Sequence, residues 1–538
     1  MLDLVSLLRQ SREDDIWHRC CGFVDLSLDQ FMAIQRRLLM EQLTLLSCSQ
    51  IGHRLLKGQI PSSVEEFQQH VPMTTYNDYC PELPARLESV LPVKPFLWQH
   101  TSGRTGEYGS KWVPLTARFC ERLGEVLLGL AILSACSNRN QITRLKERPK
   151  MVYAVAPPPY TSGTLVNILD SRFPLFSMPE LSLAETMSFE QRIRDGLKLA
   201  LRHGLDGFGG LSLALVTIGE RFSTGASSVR IRELFGSPAS FLRLTNGFLK
   251  SRISGRPLLP RYFWNVMGIT SGGTDSIVMR DRILEYWGRY PLDTYTCTEG
   301  AVIATQTWNY RDLTFIPYLN FLEFIPERDA TSACSNTNRF PSTLLLDEVE
   351  PGQVYELVIT NFHGGPMTRY RIGDMVRITS MKDEQTGIPT PQMAFERRAD
   401  DLIDLGGFIR LTEKTIWKAI ENSGIPYVDW VARKRTGERP VLELYIEPSS
   451  GLTISESIAA ARIFTEIRRL DERVNSSSIY DSYCSMVGNT PVVVQLLPNG
   501  AFERYTETQR RRGSDLAHLK PPHISPDNKI MNMLLGET

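Results

Sequence analysis

The sequence predicts an α/β protein with a large N-terminal domain of mixed sheets and flanking helices, followed by a small α+β C-terminal domain. Two observations predict this architecture. Short apolar runs alternate with helical patterns through residues 1–397, which is typical of sheets covered by helices. The spacing of the predicted helices and strands changes over residues 398–538, where the elements are fewer and shorter. A length of 538 residues also favours more than one domain.

The predicted elements of the large domain follow from periodicity and punctuation. Helices are expected in the first 60 residues and over 117–135, where GEVLLGLAILSA indicates a buried helix too short to cross a bilayer. MVYAVA at 151–156 predicts a buried strand that ends at three prolines. A capping box that begins at Ser188 opens a helix, and Gly204 can end it.

The predicted elements of the small domain are two helices and two strands. Capping residues or a terminal glycine bound the helices, and apolar alternation or a β-branched run indicates the strands. They are expected at 412–422, 442–446, 453–470 and 491–497.

Charge and cysteine content narrow the class of protein. Lys plus Arg equals Asp plus Glu at 60 each, so the chain has no general attraction to nucleic acid or acidic membranes, and we expect neither as a partner. The nine cysteines lack CxxC spacing, which favours reduced thiols in the cytoplasm. The N-terminus lacks the basic and apolar regions of a signal peptide.

The first motif is the Gly-rich run HTSGRTGEYGSKWVP at 100–114. Glycines allow close backbone approach, so successive N–H groups, hydroxyls and a lysine can surround phosphate oxygens. The run lacks the GKS or GKT of a Walker A motif. Taken by itself, the run fits a flexible surface loop better than a phosphate site.

Three more motifs follow in order. DTYTCTEGA at 293–301 brings an aromatic ring, a hydroxyl and a carboxylate together, which could stack a base, bond a phosphate and hold Mg²⁺; alone it also fits a turn. TRYRIGDMVRI at 368–378 predicts a tight turn at Gly373-Asp374 between two apolar runs, as in a hairpin. Alternatively, the Asp374 carboxylate could accept hydrogen bonds from a ribose diol. ERRADDLIDLGGF at 396–408 is a charged run where composition changes, which favours a hinge.

The order and spacing of these four motifs resemble the adenylate-forming superfamily of acyl-CoA ligases, peptide-synthetase adenylation domains and luciferases. A closer resemblance is to the auxin- and jasmonate-conjugating acyl-acid amido synthetases of plants and their bacterial relatives. It extends from about Pro72 to Leu535 and rests on NFLEFIPE, GQVYELVITN, YRIGD, LPNGAFERY and HLKPPH. The last two segments are not typical of general CoA ligases.

The resemblance implies a binding site for ATP. The phosphates would lie in the Gly-rich loop, at Thr101, Ser102, Gly103, Thr105, Gly106 and Lys111. A second glycine-rich segment, between the acyl group and the adenine, would include Gly272, Gly273 and Thr274.

The remaining nucleotide contacts are implied in the same way. Tyr295 would lie against the adenine, Thr298 would contact the α-phosphate and Glu299 would hold Mg²⁺. Asp374 would bind the ribose hydroxyls, and Arg398 would contact the nucleotide from the hinge side.

The resemblance makes Lys520, on a mobile C-terminal domain, a catalytic residue together with Thr298 and Glu299. Two residues depart from the family pattern. Arg104 stands where Thr or Ser is usual, and His523 replaces the arginine of K-x-P-R. A second TSG, at 161–163, is interpreted as a turn after a strand.

The implied activity is ATP- and Mg²⁺-dependent formation of an acyl-adenylate from a small carboxylic acid, followed by acyl transfer to an amine. Two alternatives remain open: an acyl- or aryl-CoA ligase, and an adenylate-fold protein that binds a small molecule without turnover. The sequence names neither the acid nor the amine, and it leaves the oligomeric state open. Phe263, Trp264 and Met267 could line the acid pocket, but core packing explains them better.

Overall fold

The computed structural model describes residues 4–100, 111–142, 145–224, 237–272, 276–332, 341–398, 402–405, 409–435, 441–449, 454–470, 490–511 and 520–537. The chain divides into two compact units, Met1–Glu396 and Arg397–Thr538. Separate clusters of buried apolar side chains stabilise each unit. Within the described ranges, no helix combines the length and hydropathy needed to cross a bilayer.

The first unit begins with helices, as the sequence predicts. They are α1 (Leu4–Arg9), α2 (Glu13–Cys20), α3 (Leu28–Ser47), α4 (Gln50–Leu56) and α5 (Val64–His70), with short 3-10 helices at Gly22–Asp25, Tyr76–Tyr79 and Glu88–Val90. Helix α3 shows why apolar residues at helical spacing predict these helices correctly. Ser27 and Gln30 form a capping box at its start, and its apolar face packs into the core.

A small antiparallel pair, β1 (Leu97–His100) and β2 (Trp112–Leu115), follows. Helix α6 (Ala117–Ala135) has the predicted bounds and is buried over most of its surface. The chain then alternates strands and helices through β3 (Lys150–Ala154), α7 (Thr161–Arg172), β4 (Phe176–Met178), α8 (Leu181–Ala184), α9 (Phe189–His203), β5 (Gly207–Leu211), α10 (Ser212–Ser223), α11 (Pro238–Ser254), α12 (Pro260–Phe263), β6 (Gly268–Gly272), α13 (Ser276–Trp287) and β7 (Leu292–Cys297).

The rest of the first unit is mostly strand. It comprises β8 (Ala301–Thr305), β9 (Leu313–Phe315), β10 (Asn320–Pro326), α14 (Glu327–Ser332), β11 (Val354–Asn361), β12 (Tyr370–Ser380) and β13 (Gln392–Arg398). The described strands form an eleven-stranded sheet in the order β10-β11-β12-β13-β9-β8-β7-β6-β5-β3-β4. The mixed α/β class predicted for the large domain is therefore confirmed.

The sheet changes character at β7. Strands β4, β3, β5, β6 and β7 pair in parallel, because helices connect them and return the chain to the same edge. Strand β7 pairs with β8 in antiparallel fashion, through a short connection.

Two local predictions were wrong. Gly373-Asp374 is not a hairpin turn: β12 runs straight through it, and the register with β11 shifts at this point, which makes a bulge. Gly373 has a φ of +80° there, a conformation that glycine adopts without strain. The second TSG does not form a turn, because Thr161 is the first residue of helix α7.

The second unit is a small α+β structure. Its elements are β14 (Leu402–Leu405), β15 (Ile409–Thr412), α15 (Glu413–Asn422), β16 (Tyr427–Arg435), β17 (Val441–Pro448), α16 (Glu456–Leu470), β18 (Val492–Leu496), α17 (Ala501–Arg511) and α18 (Asn528–Leu535). Strands β16, β17 and β18 form one sheet, with the apolar face of α16 packed on it. Thr453, the expected cap of the helix predicted at 453–470, lies outside the described residues.

Candidate functional site

The candidate site begins at the carboxyl end of β7, where the sheet changes from parallel to antiparallel. In open α/β sheets, ligands bind outside the carboxyl ends of the strands. Thr298 and Glu299 directly follow this strand, and Tyr295 lies on it. The strand order therefore places three of the predicted residues where a ligand is expected.

Two buried asparagines hold the turn that follows β7. Asn361 donates a hydrogen bond from Nδ2 to the carbonyl oxygen of Glu299 over 2.8 Å, and Asn320 donates from Nδ2 to that of Gly300 over 2.7 Å. A Cβ at Gly300 would lie 2.8 Å from Cδ1 of Ile359, so only glycine fits without movement. The backbone that carries Glu299 is thus fixed by side chains from β10 and β11.

The Glu299 carboxylate lies in a polar cluster with Lys111 and Tyr370. Its side chain is 9% exposed, and Oε1 is 3.6 Å from Nζ of Lys111. Tyr370 donates from Oη to the same oxygen over 3.0 Å and accepts from Lys111 Nζ over 3.3 Å. Burial, reinforced by the charge of Glu299, raises the pKa of Tyr370 above its usual range, so this phenol stays a neutral donor.

A second polar pair lies on the neighbouring part of the sheet. Tyr295 donates from Oη to Oδ2 of Asp374 over 2.6 Å, and both residues are buried. Its ring also stacks on Phe395, with centroids 6.0 Å apart and planes at 29°. The bulge at Gly373 turns Asp374 so that β12 delivers this carboxylate to β7. Tyr295 and Asp374, two residues predicted separately, are therefore brought together.

Thr298 has two partners that sequence reasoning missed. Its hydroxyl lies 2.8 Å from Oγ1 of Thr161, the first residue of α7, and its carbonyl accepts from Nε2 of Gln99 over 2.8 Å. The other amide atom of Gln99, Oε1, is buried without a hydrogen-bond partner in the described part of the chain. The repeated TSG was the available signal for Thr161, whereas no sequence pattern points to Gln99.

The remaining predicted residues are placed in part or not at all. Gly272 ends β6, beside β7, where a Cβ would meet Thr294 at ordinary contact distance. Arg398 ends β13, and its side chain lies outside the described residues. Also outside the described residues are Thr101, Ser102, Gly103, Thr105, Gly106, Gly273, Thr274 and Arg104.

The donor set can be tested against Mg²⁺. The described residues contain no group of three or more metal-ligating side chains. Mg²⁺ in phosphate-transfer sites needs only one or two protein carboxylates, since phosphate oxygens and waters complete the shell. Glu299 engages Tyr370 and Lys111 through one oxygen, and its other oxygen has no hydrogen-bond partner in the described ranges. The site therefore fits an ion shared between Glu299 and a bound phosphate.

In the second unit, Lys520 lies in a charged cluster around Asp429. Its Nζ is 3.1 Å from Oδ2 of Asp429, and its side chain is otherwise mostly exposed. His523 lies 3.0 Å from Oδ1 of Asp429 through Nε2 and 2.6 Å from Oε1 of Glu413 through Nδ1. Its ring stacks on Trp430 with centroids 4.4 Å apart. The residue that departs from the family pattern thus lies between two carboxylates.

The protonation of His523 follows from these contacts. Burial alone disfavours a charged imidazole, but hydrogen bonds to Asp429 and Glu413, together with their charges, outweigh it and raise the pKa of His523 to about 9. The pKa of Asp429 is lowered, because the same contacts outweigh the effect of its own burial. His523 therefore supplies a positive charge where the family pattern has arginine.

Models of two domains of one family match the chain. The GH3 family N-terminal domain matches residues 22–171, and the GH3 family central domain matches residues 313–398. Lys111 and Thr161 lie in the first match, and Tyr370 and Asp374 lie in the second.

Curated relatives match over part of their length. An indole-3-acetic acid-amido synthetase, GH3.4 of Arabidopsis thaliana, is 27% identical over 234 residues, which cover 41% of this chain and 36% of that protein. The jasmonoyl–L-amino acid synthetase GH3.5 of Oryza sativa subsp. japonica is 24% identical over 289 residues, 50% of this chain and 47% of that protein. The chain thus matches less than half the length of these relatives.

Solved structures extend the likeness in fold to nearly the whole chain. The GH3.15 acyl acid amido synthetase superposes with a TM-score of 0.66 and 17% identity, covering 96% of this chain and 95% of that one. A 2-hydroxyisobutyryl-CoA ligase superposes with a TM-score of 0.58 and 15% identity, covering 95% and 94%. The fold is that of adenylate-forming enzymes. Residues 22–171 and 313–398 therefore resemble the N-terminal and central domains of the GH3 family, and the family resemblance that the motifs predict is confirmed.

Proposed function

We propose that this chain uses ATP to activate a small carboxylic acid as its acyl-adenylate and then transfers the acyl group to an amine, such as an amino acid. In the first step the carboxylate oxygen attacks the α-phosphorus, and pyrophosphate leaves. In the second step the amine nitrogen attacks the acyl carbon, loses a proton, and AMP leaves. The observation that carries the proposal is the buried cluster of Lys111, Glu299 and Tyr370 beside the end of β7.

This cluster suits a reaction in which an anion approaches a polyphosphate. Lys111 offers a positive charge, and Glu299 would hold Mg²⁺ against the phosphates. When bound, this ion screens the charge that develops on the α-phosphate and the leaving pyrophosphate. Tyr370 holds the Glu299 carboxylate and the Lys111 ammonium in one arrangement, so the site is organised before the substrate binds.

The nucleoside would lie against the second pair. Tyr295 offers a ring for the adenine, and Asp374 offers carboxylate oxygens to the ribose hydroxyls. Thr298 would bond the α-phosphate, with its hydroxyl oriented by Thr161. The Gly-rich loop would enclose the phosphates, while Gly272, Gly273 and Thr274 would separate the acyl group from the adenine.

Arg398 and Lys520 complete the proposal from the second unit. Arg398 would contact the nucleotide at the hinge, and Lys520 would act as a mobile catalytic cation. Transfer to an amine is supported by the relatives, which are an indole-3-acetic acid-amido synthetase and a jasmonoyl–L-amino acid synthetase. We further propose a reducing, cytoplasmic location, supported by free thiols at all seven described cysteines.

The test is acid-dependent exchange of pyrophosphate into ATP. We expect exchange with a panel of aromatic and cyclic carboxylic acids, and its loss in Glu299→Ala. Exchange that is unaffected by Glu299→Ala would contradict the assignment of this residue to Mg²⁺.

A second assay separates amide formation from the CoA-ligase alternative, which the fold of the 2-hydroxyisobutyryl-CoA ligase keeps open. AMP release is measured with the active acid and either an amino-acid panel or CoA as acceptor. Release that depends on an amino acid supports the proposal, and release that depends on CoA overturns it.

A further inference from the structure

Helix α11 presents most of its large apolar side chains to solvent, and only Leu244 among them to the core. At 3.6 residues per turn, its buried side consists of Ser240, Leu244 and Gly247. The opposite side carries five apolar side chains that are 43% to 77% exposed: Phe241, Leu242, Phe248, Leu249 and Ile253. They lie within an arc of about 140° along about 18 Å of the helix, and this arc also contains the exposed Thr245 and Arg252. The usual amphipathic pattern is therefore reversed.

This exposure is concentrated in one place. Among the described residues, twelve large apolar side chains are exposed, and five of them lie on α11. Single exposed apolar residues are normal in proteins, but a contiguous patch indicates a surface that contacts something else. Gly247 packs closely on the ring of Phe263, so the buried side of the helix is fixed against its neighbour and the five exposed apolar side chains lie on the other side.

The segment that carries this patch has charges of one sign. Residues 237–272 contain five basic residues and no Asp or Glu: Arg243, Lys250, Arg252, Arg256 and Arg261. Lys250 and Arg252 are exposed on α11 itself, whereas Arg243 donates to the carbonyls of Leu201 and Arg202. The zero formal charge of the whole chain, from which no membrane partner was expected, does not hold for this segment. The patch calls for an apolar partner with negative charge.

A contact between the α11 helices of two copies does not meet this requirement. Two α11 helices in contact would bring Lys250 and Arg252 of both copies together, with no acid in residues 237–272 to neutralise them. An acidic protein would need to cover about 800 Å² per partner in a stable complex, and one convex helix face about 18 Å long offers much less. A lipid surface has no such minimum area and needs no matching shape.

We propose that α11 docks on an anionic lipid surface. The arc of Phe241, Leu242, Phe248, Leu249 and Ile253 would enter the boundary between headgroups and acyl chains, and Lys250 and Arg252 would contact the anionic headgroups. The helix lies along the surface and does not span it, in keeping with its 17 residues and its basic side chains. This inference does not rest on the proposed enzymatic activity.

The test is sedimentation of the full chain with phospholipid vesicles. We expect binding to vesicles of phosphatidylcholine and phosphatidylglycerol in equal parts, and little binding to phosphatidylcholine alone. Removal of both charges in K250Q/R252Q should weaken binding roughly tenfold or more, since each basic residue near an anionic surface contributes about 1 kcal/mol. Leu249→Glu should also weaken binding, because it places a carboxylate in the apolar arc.

Ile458→Glu is the matched control, since Ile458 is an exposed apolar residue on α16 of the other unit. It should bind as the unchanged chain does, and pyrophosphate exchange without vesicles should be equal in all variants. Equal loss of binding in Leu249→Glu and Ile458→Glu would overturn the proposal. So would equal binding to both vesicle types, or self-association that Leu249→Glu abolishes in the absence of lipid.

Discussion

Tyr370 illustrates at the scale of one residue how the candidate site is organised. Its hydroxyl donates to Glu299 and accepts from Lys111, so one phenol sets the distance between a carboxylate and an ammonium. Its ring is buried, and the strand that carries it also carries Asp374. A change of a single oxygen atom should therefore affect activity without disturbing the fold.

We expect Tyr370→Phe to lower the rate of pyrophosphate exchange about tenfold or more. The variant loses a buried hydrogen bond to a charged group, worth about 1.5–3 kcal/mol. Exchange is measured at saturating ATP and acid. Tyr355→Phe is the control, because this tyrosine is also buried in the sheet but its hydroxyl contacts the backbone of Glu350. If both variants exchange equally well, Tyr370 does not organise the site.

His523 shows how a departure from a family pattern can preserve a charge. An arginine is always protonated, whereas this imidazole is protonated because Asp429 and Glu413 accept from both ring nitrogens. Its pKa is raised from 6.5 to about 9. The charge, and the stability that depends on it, should therefore vary with pH in a way that an arginine would not.

The contribution of His523 to stability should be present in full below pH 6.5 and decline as the pH rises toward 9, because the folded state binds the proton more tightly than the unfolded state. The shift corresponds to a difference on the order of 3 kcal/mol. Urea unfolding at pH 6 and pH 9.5 measures it. His523→Gln should abolish most of this pH dependence, and His53→Gln, at an exposed site, should preserve it.

At the scale of elements, the helices with strong end signals were predicted well. Ser188 and Gln191 form the predicted capping box, α9 ends before Gly204, and α6 spans the predicted residues. These boundaries depend on hydrogen bonds between residues three or four apart, which are visible in a sequence. The strand β17 was also predicted from a local pattern, because apolar residues that alternate along a strand indicate its buried face.

Ser188→Ala should lower the free energy of unfolding by about 1 kcal/mol. The change removes the side-chain oxygen that accepts from the Gln191 amide at the start of α9. Ser182→Ala, at an exposed position in α8, should change it by less than about half of that value. Both values follow from urea titration, and equal effects of the two substitutions would show that the cap adds nothing.

Elements that depend on distant partners were not predictable. The bulge at Gly373 exists because β12 pairs with β11, and the sequence around it equally fits a hairpin turn. Thr161 became part of the candidate site because β7 ends beside the start of α7, 137 residues away along the chain. Gln99 reaches Thr298 across 199 residues of the chain. Local patterns therefore revealed which residues carry chemistry, and the topology decided which of them meet.

At the scale of the whole molecule, the described residues form two bodies with separate apolar cores. The larger body includes Phe31 and Leu39 of α3 in its core, and the smaller one packs Trp430, Leu444 and Ile463 between a sheet and helices. The assignment of residues 1–397 and 398–538 to separate functions stays a prediction. Separate cores nevertheless have a thermodynamic consequence that can be measured.

We expect two unfolding transitions in calorimetry. Leu39→Ala leaves a cavity in the larger core, and such truncations typically lower the free energy of unfolding by about 2–5 kcal/mol. The variant should therefore lower the midpoint temperature of one transition only. His523→Gln at pH 6 should lower only the other transition, by several degrees, since about 1 kcal/mol shifts a unit of this size by about 2–4 °C or slightly more. Each substitution is the control for the other. A single transition that both variants shift equally would mean that the two cores unfold as one, and residues 398–538 could then not move as an independent body that carries Lys520.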